Sequence, residues 1–176
     1  MVKRDELIKF IYQTIGDELM AKALTKDEVA NGRQWLGANE VKKIALGVSA
    51  NEEFLLAAVK AGAQFCIFHH GLDTRVWKSR YPRFAQKRLK VIVENKLTVV
   101  GLHYTLDSHP KIGNNAVIIR ELGAKIKEPL FDDWGWTAEL PQPETIEQMK
   151  TACEKLFNHK IFSVLVPKEK KIKIKK

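Results

Sequence analysis

The spacing of apolar residues predicts an alternation of helices and strands along the chain. Apolar residues lie three or four positions apart over residues 3–20 and again over residues 79–95, which predicts a helix in each segment. VKKIALGVS at 41–49 alternates large apolar residues with small ones, and QFCIF at 64–68 is almost entirely apolar, so both are expected to be strands. A run as apolar as QFCIF is typical of a strand that is buried on both faces of a parallel sheet.

The same kind of pattern continues through the rest of the chain. A loop is expected at NGRQWLGANE, where Gly32 and Gly37 bracket the segment. The other predicted elements are helices at 51–62 and 113–123 and from residue 144, and strands at 97–102, 135–140, 161–166 and 171–175. This order predicts an α/β fold with a mostly parallel sheet flanked by helices.

Side chains that commonly bind metal ions follow two of the apolar strands. His69 and His70 come directly after QFCIF, and His103 and Asp107 follow LTVVGL. Because ligands gather at the carboxyl ends of strands in an open α/β sheet, the two groups meet if these strands are neighbours. Imidazole suits zinc, iron, nickel or copper, and a carboxylate can bridge two ions in a hydrolytic site. We therefore predict that His69, His70 and Asp107 bind a divalent metal ion, with His103 as the candidate for proton transfer.

A simpler interpretation of the same residues stays open at this point. Histidines at strand ends are often satisfied polar residues or surface residues without a ligand. Asp107 is followed by Ser-His-Pro, a composition that is equally typical of a turn. His109, two positions beyond Asp107, is a candidate either for a contact with a ligand residue or for a contact with a substrate.

Charge and composition narrow the class of protein. The formal net charge is +9, and the last nine residues hold six lysines and one glutamate. A basic end of this kind occurs in nucleic-acid-binding proteins, but a solvated basic terminus is the more common explanation. The sequence has no apolar run of membrane-spanning length and no secretory leader, so no membrane partner is expected and the cytoplasm is the expected location.

Two segments carry a resemblance to a known family. IFHHGL and GLHYTLDSHPKIGNNAVIIRELG resemble the Nif-three-like family, whose members are also labelled GTP cyclohydrolase type 2 homologues. Members have a strand that ends in HHP or HHG and, later, H-x-x-LD-x-H followed by a glycine, an asparagine and a helix. This chain has His69-His70-Gly71, the segment 103–109 and Gly113-Asn114-Asn115 at those places. The likeness covers about residues 28–176, and the DSHPxxGNN form is similar to the archaeal-type branch.

The resemblance implies two similar α/β lobes around a dinuclear metal site, often in a homo-oligomer that is a toroidal hexamer. The lobes are expected at 1–126 and 127–176, the second of them truncated. His69, His70 and Asp107 are then ligands, His103 lies close by, and the ion is zinc, iron, manganese, nickel or magnesium. Members supply two more ligands from a late H-x-x-x-E segment. No such segment precedes Lys176, so a shortened member or a fragment is expected.

These features predict a metal-dependent hydrolase that acts on an anionic small molecule, such as a phosphoester or a nucleotide. The cyclohydrolase label is a name only, since no residue of the sequence is identified as reading a guanine ring. The alternative is a non-catalytic metal-binding regulatory protein that works through nucleic acid or a protein partner. The basic end and the missing ligands favour that alternative.

Overall fold

The structure is a computed structural model that describes residues 1–77, 80–162 and 173–175. The chain divides into two units, Met1–Leu106 and Asp107–Lys176. The two similar lobes expected at 1–126 and 127–176 stay a prediction.

Helices and strands alternate through the described residues as the apolar pattern predicts. The α-helices described are α1 (Arg4–Ile15), α2 (Asp17–Lys26), α3 (Glu52–Lys60), α4 (Arg83–Glu94), α5 (Tyr104–Ser108), α6 (Asn114–Glu121) and α7 (Ile146–Phe157). The strands described are β1 (Val2–Lys3), β2 (Asn31–Trp35), β3 (Glu40–Val41), β4 (Ile44–Ser49), β5 (Phe65–His70), β6 (Thr98–Leu102), β7 (Lys125–Leu130), β8 (Gly135–Glu139), β9 (Glu144–Thr145) and β10 (Lys173–Ile174). Among the described helices, none has both the length and the apolar character that crossing a bilayer requires.

A four-stranded sheet forms the centre of the first unit. Its strand order is β2-β6-β5-β4, with β4, β5 and β6 parallel and β2 antiparallel to β6. The predicted α/β fold with a mostly parallel sheet is therefore confirmed. The pairing of β5 with β6 ends at Phe68 opposite Gly101. The two strands thus finish side by side, at the same edge of the sheet.

Both faces of this sheet are covered at β5 and β6, which explains why these two strands are so largely apolar. Cys66 and Phe68 of β5 lie in one hydrophobic cluster together with α3 and α4. Phe65, the first residue of β5, lies in a second cluster together with Ile8 and Ile11 of α1. Side chains alternate between the two faces of a strand, so a strand buried on both faces carries apolar residues on both.

Two predictions about the N-terminal region are wrong. The helix expected over residues 3–20 is two helices, because Gly16 between them has φ 92°, a left-handed value that an α-helix cannot continue through. The loop expected at 31–40 begins instead with β2, which pairs with β6 from Asn31 opposite Leu102. Strand β2 lies at the edge of the sheet, where a strand can carry polar and glycine residues that hide its pattern.

The second unit contains α6, α7 and strands β7 to β10. Strands β7 and β8 are antiparallel to each other, and β7 was not predicted from the sequence. Helix α7 begins with a capping box in which the side chains of Thr145 and Gln148 each accept a hydrogen bond from the other residue's backbone N–H. Strand β10 pairs antiparallel with β9, in agreement with the strand predicted at 171–175. Most of the strand predicted at 161–166 lies outside the described residues.

Candidate metal centre

Three histidines of the first unit come together at the carboxyl ends of β5 and β6. His69 and His70 are the last two residues of β5, and His103 follows β6 directly. The ring centroids are 4.5 Å apart for His69 and His70, 4.8 Å for His69 and His103, and 5.3 Å for His70 and His103. One ligand atom from each ring lies within 4.8 Å of the other two, so this group can hold a metal ion.

The position of the two neighbouring histidines follows from the end of the β5–β6 ladder. Successive residues on a regular strand point to opposite faces, which would separate the two rings. The ladder ends at Phe68, one residue before His69, while His70 is still opposite Ser49 of β4. The rings of His69 and His70 are inclined by 39°, and both approach His103. Both histidines therefore lie beside His103, and one ligand atom from each of the three rings can reach a common ion.

Hydrogen bonds at the Nδ1 atoms define the tautomers of two of these rings. Nδ1 of His103 is 2.8 Å from Oδ2 of Asp27, and Nδ1 of His69 is 3.2 Å from the carbonyl oxygen of Leu102. Because carboxylate and carbonyl oxygens only accept hydrogen bonds, each Nδ1 donates its hydrogen. In the neutral rings, the lone pair is then on Nε2, the nitrogen that a metal ion takes.

The third ring is held by a hydroxyl group. Nδ1 of His70 lies 3.3 Å from Oγ of Ser49, the residue opposite it on β4. A hydroxyl can donate or accept a hydrogen bond, so this contact orients the ring without choosing its tautomer. His70 is exposed, whereas His69 and His103 are half-buried, so His70 is the member of the group that solvent reaches most easily.

Asp27 is a buried carboxylate that no pattern in the sequence identifies. Its side chain is 2% exposed, and it lies between α2 and the short 3-10 helix Glu28–Ala30. Its Oδ1 atom is 2.8 Å from Nη1 of Arg75, and its Oδ2 atom accepts from His103 and, at 3.1 Å, from Nδ2 of Asn31. A lone acidic residue between two helical segments has no pattern of its own, and 76 positions separate it from His103.

Asn31 connects this carboxylate to the residues that follow His103. Its Nδ2 atom donates to Asp27, while its Oδ1 atom accepts from the backbone N–H of Thr105 at 3.1 Å and from the hydroxyl of Thr105 at 3.0 Å. Both Asn31 and Thr105 are buried. Buried polar groups that satisfy one another in this way fix local structure, so the start of β2 and the backbone after His103 form one hydrogen-bonded unit.

Arg75 extends the same network to the surface. Its Nη2 and Nε atoms donate to the two carboxylate oxygens of Asp73 at 2.6 and 2.9 Å. The hydrogen bonds from Arg75 lower the pKa of Asp73 below its usual value. Because Nη1 of the same guanidinium binds Asp27, one cation is shared between an exposed carboxylate and a buried one.

Steric overlap explains why the residue after the histidine pair is a glycine. A Cβ atom added at Gly71 would lie 2.1 Å from Oε1 of Gln34, far inside van der Waals contact. The amide of Gln34 accepts from the N–H of Leu72 at 2.8 Å and donates to the carbonyl groups of Leu72 and Val29 at 3.0 and 2.9 Å. Gln34 therefore occupies the space beside Gly71 and fixes the backbone just after His70.

The remaining candidates lie on the second unit, where Asp107 is the first residue. Asp107 is on α5, and its backbone carbonyl accepts from Nδ2 of Asn115 at 3.0 Å. Its role as a metal ligand stays a prediction. His109 is buried, and its Nδ1 atom accepts from the backbone N–H groups of Lys111 and Ile112 at 3.1 and 3.3 Å. His109 thus stabilises the turn that leads to α6.

The donor set fits a transition metal. Imidazole nitrogen is a usual ligand of zinc, iron, nickel and copper, and a hydrogen-bond acceptor at the other ring nitrogen is typical of such sites. A tetrahedral ion at about 2.0–2.1 Å from each nitrogen requires nitrogen separations of about 3.3 Å. Ligand atoms within 4.8 Å of one another reach that separation after a closure of at most about 1.5 Å, which side-chain rotation can supply.

Comparison with known proteins identifies the family. The family model described as Duf34/NIF3 (NGG1p interacting factor 3) matches residues 4–175. The chain belongs to this family. The resemblance of the HHG and H-x-x-LD-x-H segments to Nif-three-like proteins is thereby confirmed, while the assignment to an archaeal-type branch stays a prediction.

Relatives in bacteria support this membership. The chain is 32% identical over 157 residues to the "GTP cyclohydrolase 1 type 2 homolog" of Haemophilus influenzae, and 37% identical over 137 residues to the protein of that name from Escherichia coli K12. These alignments include 82% and 74% of this chain but 60% and 52% of the relatives. The chain thus spans about half the length of the curated relatives it matches.

Solved structures of NIF3-like proteins share the fold. Protein ybgI, described as of unknown function, superposes with a TM-score of 0.75 at 31% identity, covering 90% of this chain and 62% of that one. TTHA1606 from Thermus thermophilus superposes with a TM-score of 0.74 at 28% identity, covering 90% and 63%. The homo-oligomer that the family resemblance implies, often a toroidal hexamer, stays a prediction.

Proposed function

We propose that this NIF3-family chain binds a divalent metal ion through His69, His70 and His103, with Asp107 as a further ligand. The observation that carries the proposal is the convergence of three imidazoles whose ligand atoms lie within 4.8 Å of one another. The hydrogen bonds of His69 and His103 at Nδ1 strengthen it, because they leave the lone pair of each neutral ring on Nε2. Surface histidines without a common ligand have no need of such matched tautomers.

The proposed reaction is hydrolysis of an anionic small molecule of the phosphoester or nucleotide type. A bound divalent ion would lower the pKa of a water molecule to about 7 and polarise a phosphoryl oxygen. The chain's formal net charge of +9 favours anionic substrates. The relatives' name, "GTP cyclohydrolase 1 type 2 homolog", agrees with a nucleotide-type substrate.

His103 has two roles open to it in this proposal. Its ring lies with those of His69 and His70, which suits a third nitrogen ligand. Its position after β6 in the sequence predicts that it transfers a proton, and the same Nε2 atom would accept one. We favour the ligand role, since Asp27 holds Nδ1 of His103 in the way that carboxylates commonly hold metal-bound histidines.

The donor set also bears on which ion is bound. Three imidazole nitrogens favour zinc, iron or nickel, whereas magnesium and manganese prefer carboxylate, carbonyl and water oxygens. We therefore expect the purified protein to take up zinc, iron or nickel before magnesium. Addition of Asp107 would give a mixed nitrogen and oxygen set, which all three of these ions accept.

Metal analysis of purified variants tests the binding proposal. We expect about one ion per chain in the wild-type protein and a loss of most of it in His69→Ala and His103→Ala. His159→Ala is the matched control, since His159 is exposed and packs against Phe162 in the second unit. Equal metal content in all four proteins would contradict binding by this histidine group.

A second measurement tests hydrolysis. The metal-loaded protein is assayed with bis-p-nitrophenyl phosphate and with GTP, with and without EDTA. We expect turnover that EDTA abolishes and that added zinc, iron or nickel restores. Stoichiometric metal without chelator-sensitive turnover would refute the hydrolase. If the same protein also bound DNA with an affinity that falls steeply with salt, the regulatory alternative would replace it.

A further inference from the structure

We propose that Asp27 is a positioning residue for the metal centre: its carboxylate fixes the orientation and the tautomer of His103, and thereby sets the metal affinity of the site. The inference deepens the metal-binding function proposed above and rests on it. Asp27 would touch neither the ion nor a substrate. It would act through His103, whose Nδ1 atom lies 2.8 Å from Oδ2 of Asp27.

The carboxylate of Asp27 is itself held by donors from three different parts of the chain. Arg75 from the 3-10 helix Thr74–Trp77 binds Oδ1 at 2.8 Å, while Asn31 from β2 and His103 after β6 donate to Oδ2 at 3.1 and 2.8 Å. Asn31 also donates to the backbone carbonyl of Asp27 at 2.8 Å. With both oxygens engaged, the carboxylate has little freedom to rotate, and His103 meets an acceptor at a fixed place.

The burial of this carboxylate indicates a specific role. A side chain that is 2% exposed loses nearly all hydration, and an ionised carboxylate tolerates this only with strong partners. Arg75 supplies the opposite charge and is itself 50% exposed, so its desolvation is modest. The network therefore keeps a negative charge in contact with one ring nitrogen of His103, in a place where water is largely excluded.

The consequence for metal binding follows from imidazole chemistry. An imidazole without a partner exchanges between two tautomers and several ring orientations, of which a metal site uses one. A carboxylate at Nδ1 selects the tautomer with the lone pair on Nε2 and makes that nitrogen more basic. Loss of such a partner typically lowers metal affinity by about 10–100-fold.

Two substitutions separate the effect of the hydrogen-bond acceptor from the effect of the negative charge. Asp27→Ala removes the acceptor and the charge together. Asp27→Asn keeps the shape and one acceptor oxygen. In the wild-type protein both carboxylate oxygens accept from donors, so the NH2 group of the asparagine must face one of these donors. If the amide oxygen stays toward His103, the tautomer is retained while the contact with Arg75 is lost. We therefore expect Asp27→Asn to lose less affinity than Asp27→Ala.

The second carboxylate that Arg75 binds offers a matched control. Asp73→Asn weakens the exposed pair between Asp73 and Arg75 and leaves Asp27, Asn31 and His103 unchanged. If Asp27 served only as structural support for Arg75, Asp73→Asn would lower the metal affinity as much as Asp27→Asn does. The positioning role predicts that Asp73→Asn keeps its metal affinity within about 2-fold of wild type.

The experiment measures zinc affinity by competition with a chromophoric chelator. It also measures the tautomer of His103 in metal-free protein, by solid-state NMR of the full chain labelled with 15N-histidine. The His103 signals are assigned by their absence in His103→Ala. We expect protonated Nδ1 in wild type and Asp27→Asn and mixed tautomers in Asp27→Ala. We also expect a loss of zinc affinity of about 10–100-fold in Asp27→Ala and a smaller one in Asp27→Asn.

The outcomes distinguish this inference from the proposed function. Wild-type affinity and an unchanged His103 tautomer in folded Asp27→Ala would overturn the inference and leave metal binding intact. If Asp27→Ala does not fold, a zinc affinity of Asp27→Asn equal to that of wild type overturns it instead. If wild-type protein binds no zinc, the proposed function fails and the affinity claim fails with it, while the 15N spectra still report whether Asp27 positions His103.

Discussion

The contact between Gly71 and Gln34 predicts a strong energetic coupling beside the histidine pair. In Gly71→Ala, the new Cβ atom would lie 2.1 Å from Oε1 and 3.0 Å from Nε2 of Gln34. The backbone of Gly71 has no positive φ that alanine would strain, so the effect of the substitution comes from this overlap. The Gln34 amide must move, because it is the more flexible of the two groups.

The hydrogen bonds of Gln34 give the size of the effect. Its amide makes three, two with Leu72 and one with Val29, at 2.8–3.0 Å. At a net contribution of about 1 kcal/mol each, their loss lowers the free energy of unfolding by about 2–3 kcal/mol. Gln34→Ala should cost a similar amount. Gly71→Ala in the Gln34→Ala background should cost about 0.5 kcal/mol, which gives a coupling energy of about 2 kcal/mol.

Urea denaturation of the two single variants and the double variant measures this coupling. Gly135→Ala is the matched control, since a Cβ there meets neighbouring atoms at 3.8 Å or more, and we expect a change below about 0.5 kcal/mol. Additive effects of Gly71→Ala and Gln34→Ala would refute the reasoning, because they would mean that the two residues do not compete for the same space. Zinc affinity should fall with Gly71→Ala as well, since the displaced segment follows His70 directly.

Three further predictions concern titration and metal removal. Burial raises the pKa of the Cys66 thiol to about 11, so DTNB at pH 8 should label Cys153 in native protein and Cys66 only after unfolding. Because the unfolded thiol ionises first, near pH 8.5, the free energy of unfolding should fall between about pH 8.5 and 11, and Cys66→Ala should remove that dependence. Arg75 lowers the pKa of Asp73, so the ionised Asp73 carboxylate stabilises the fold above the unfolded pKa, near 3.9, and this stabilisation is lost as pH falls below that value. The free energy of unfolding of Asp73→Asn should lack this loss in an acid titration. Zinc at about 100 times its Kd should stabilise the protein by about 2.7 kcal/mol and raise Tm by about 5–10 °C, and EDTA should reverse the shift; an unchanged melting curve with zinc would contradict a site specific to the folded state.

The histidine group shows how far strand patterns can predict a site. The apolar runs before His69 and His103 identified two buried strands, and the parallel pairing of β5 and β6 places both ends together as expected. Asp27 could not be found in this way, since it belongs to no strand and acts across 76 positions. Its importance comes from burial and from three donors, and neither property is encoded in a local pattern.

Strand β2 shows the corresponding limit for the fold. Its sequence, NGRQW, contains a glycine and three polar residues, so its pattern predicts a loop. An edge strand is hydrogen-bonded on one side only and does not need the apolar alternation of a central strand. This strand carries both Asn31, which binds Asp27, and Gln34, which fixes the backbone beside Gly71. Because the strand itself is not predicted, the supporting roles of its two residues could not be predicted either.

The most direct test of the metal centre is an anomalous diffraction measurement on crystals grown with zinc. Data collected above and below the zinc absorption edge locate the ion independently of the protein atoms. The proposal predicts a peak at about 2.0–2.1 Å from Nε2 of His69, His70 and His103, with His103 still bound to Asp27 through Nδ1. A peak away from these three rings, or no peak in crystals of folded protein, would contradict it.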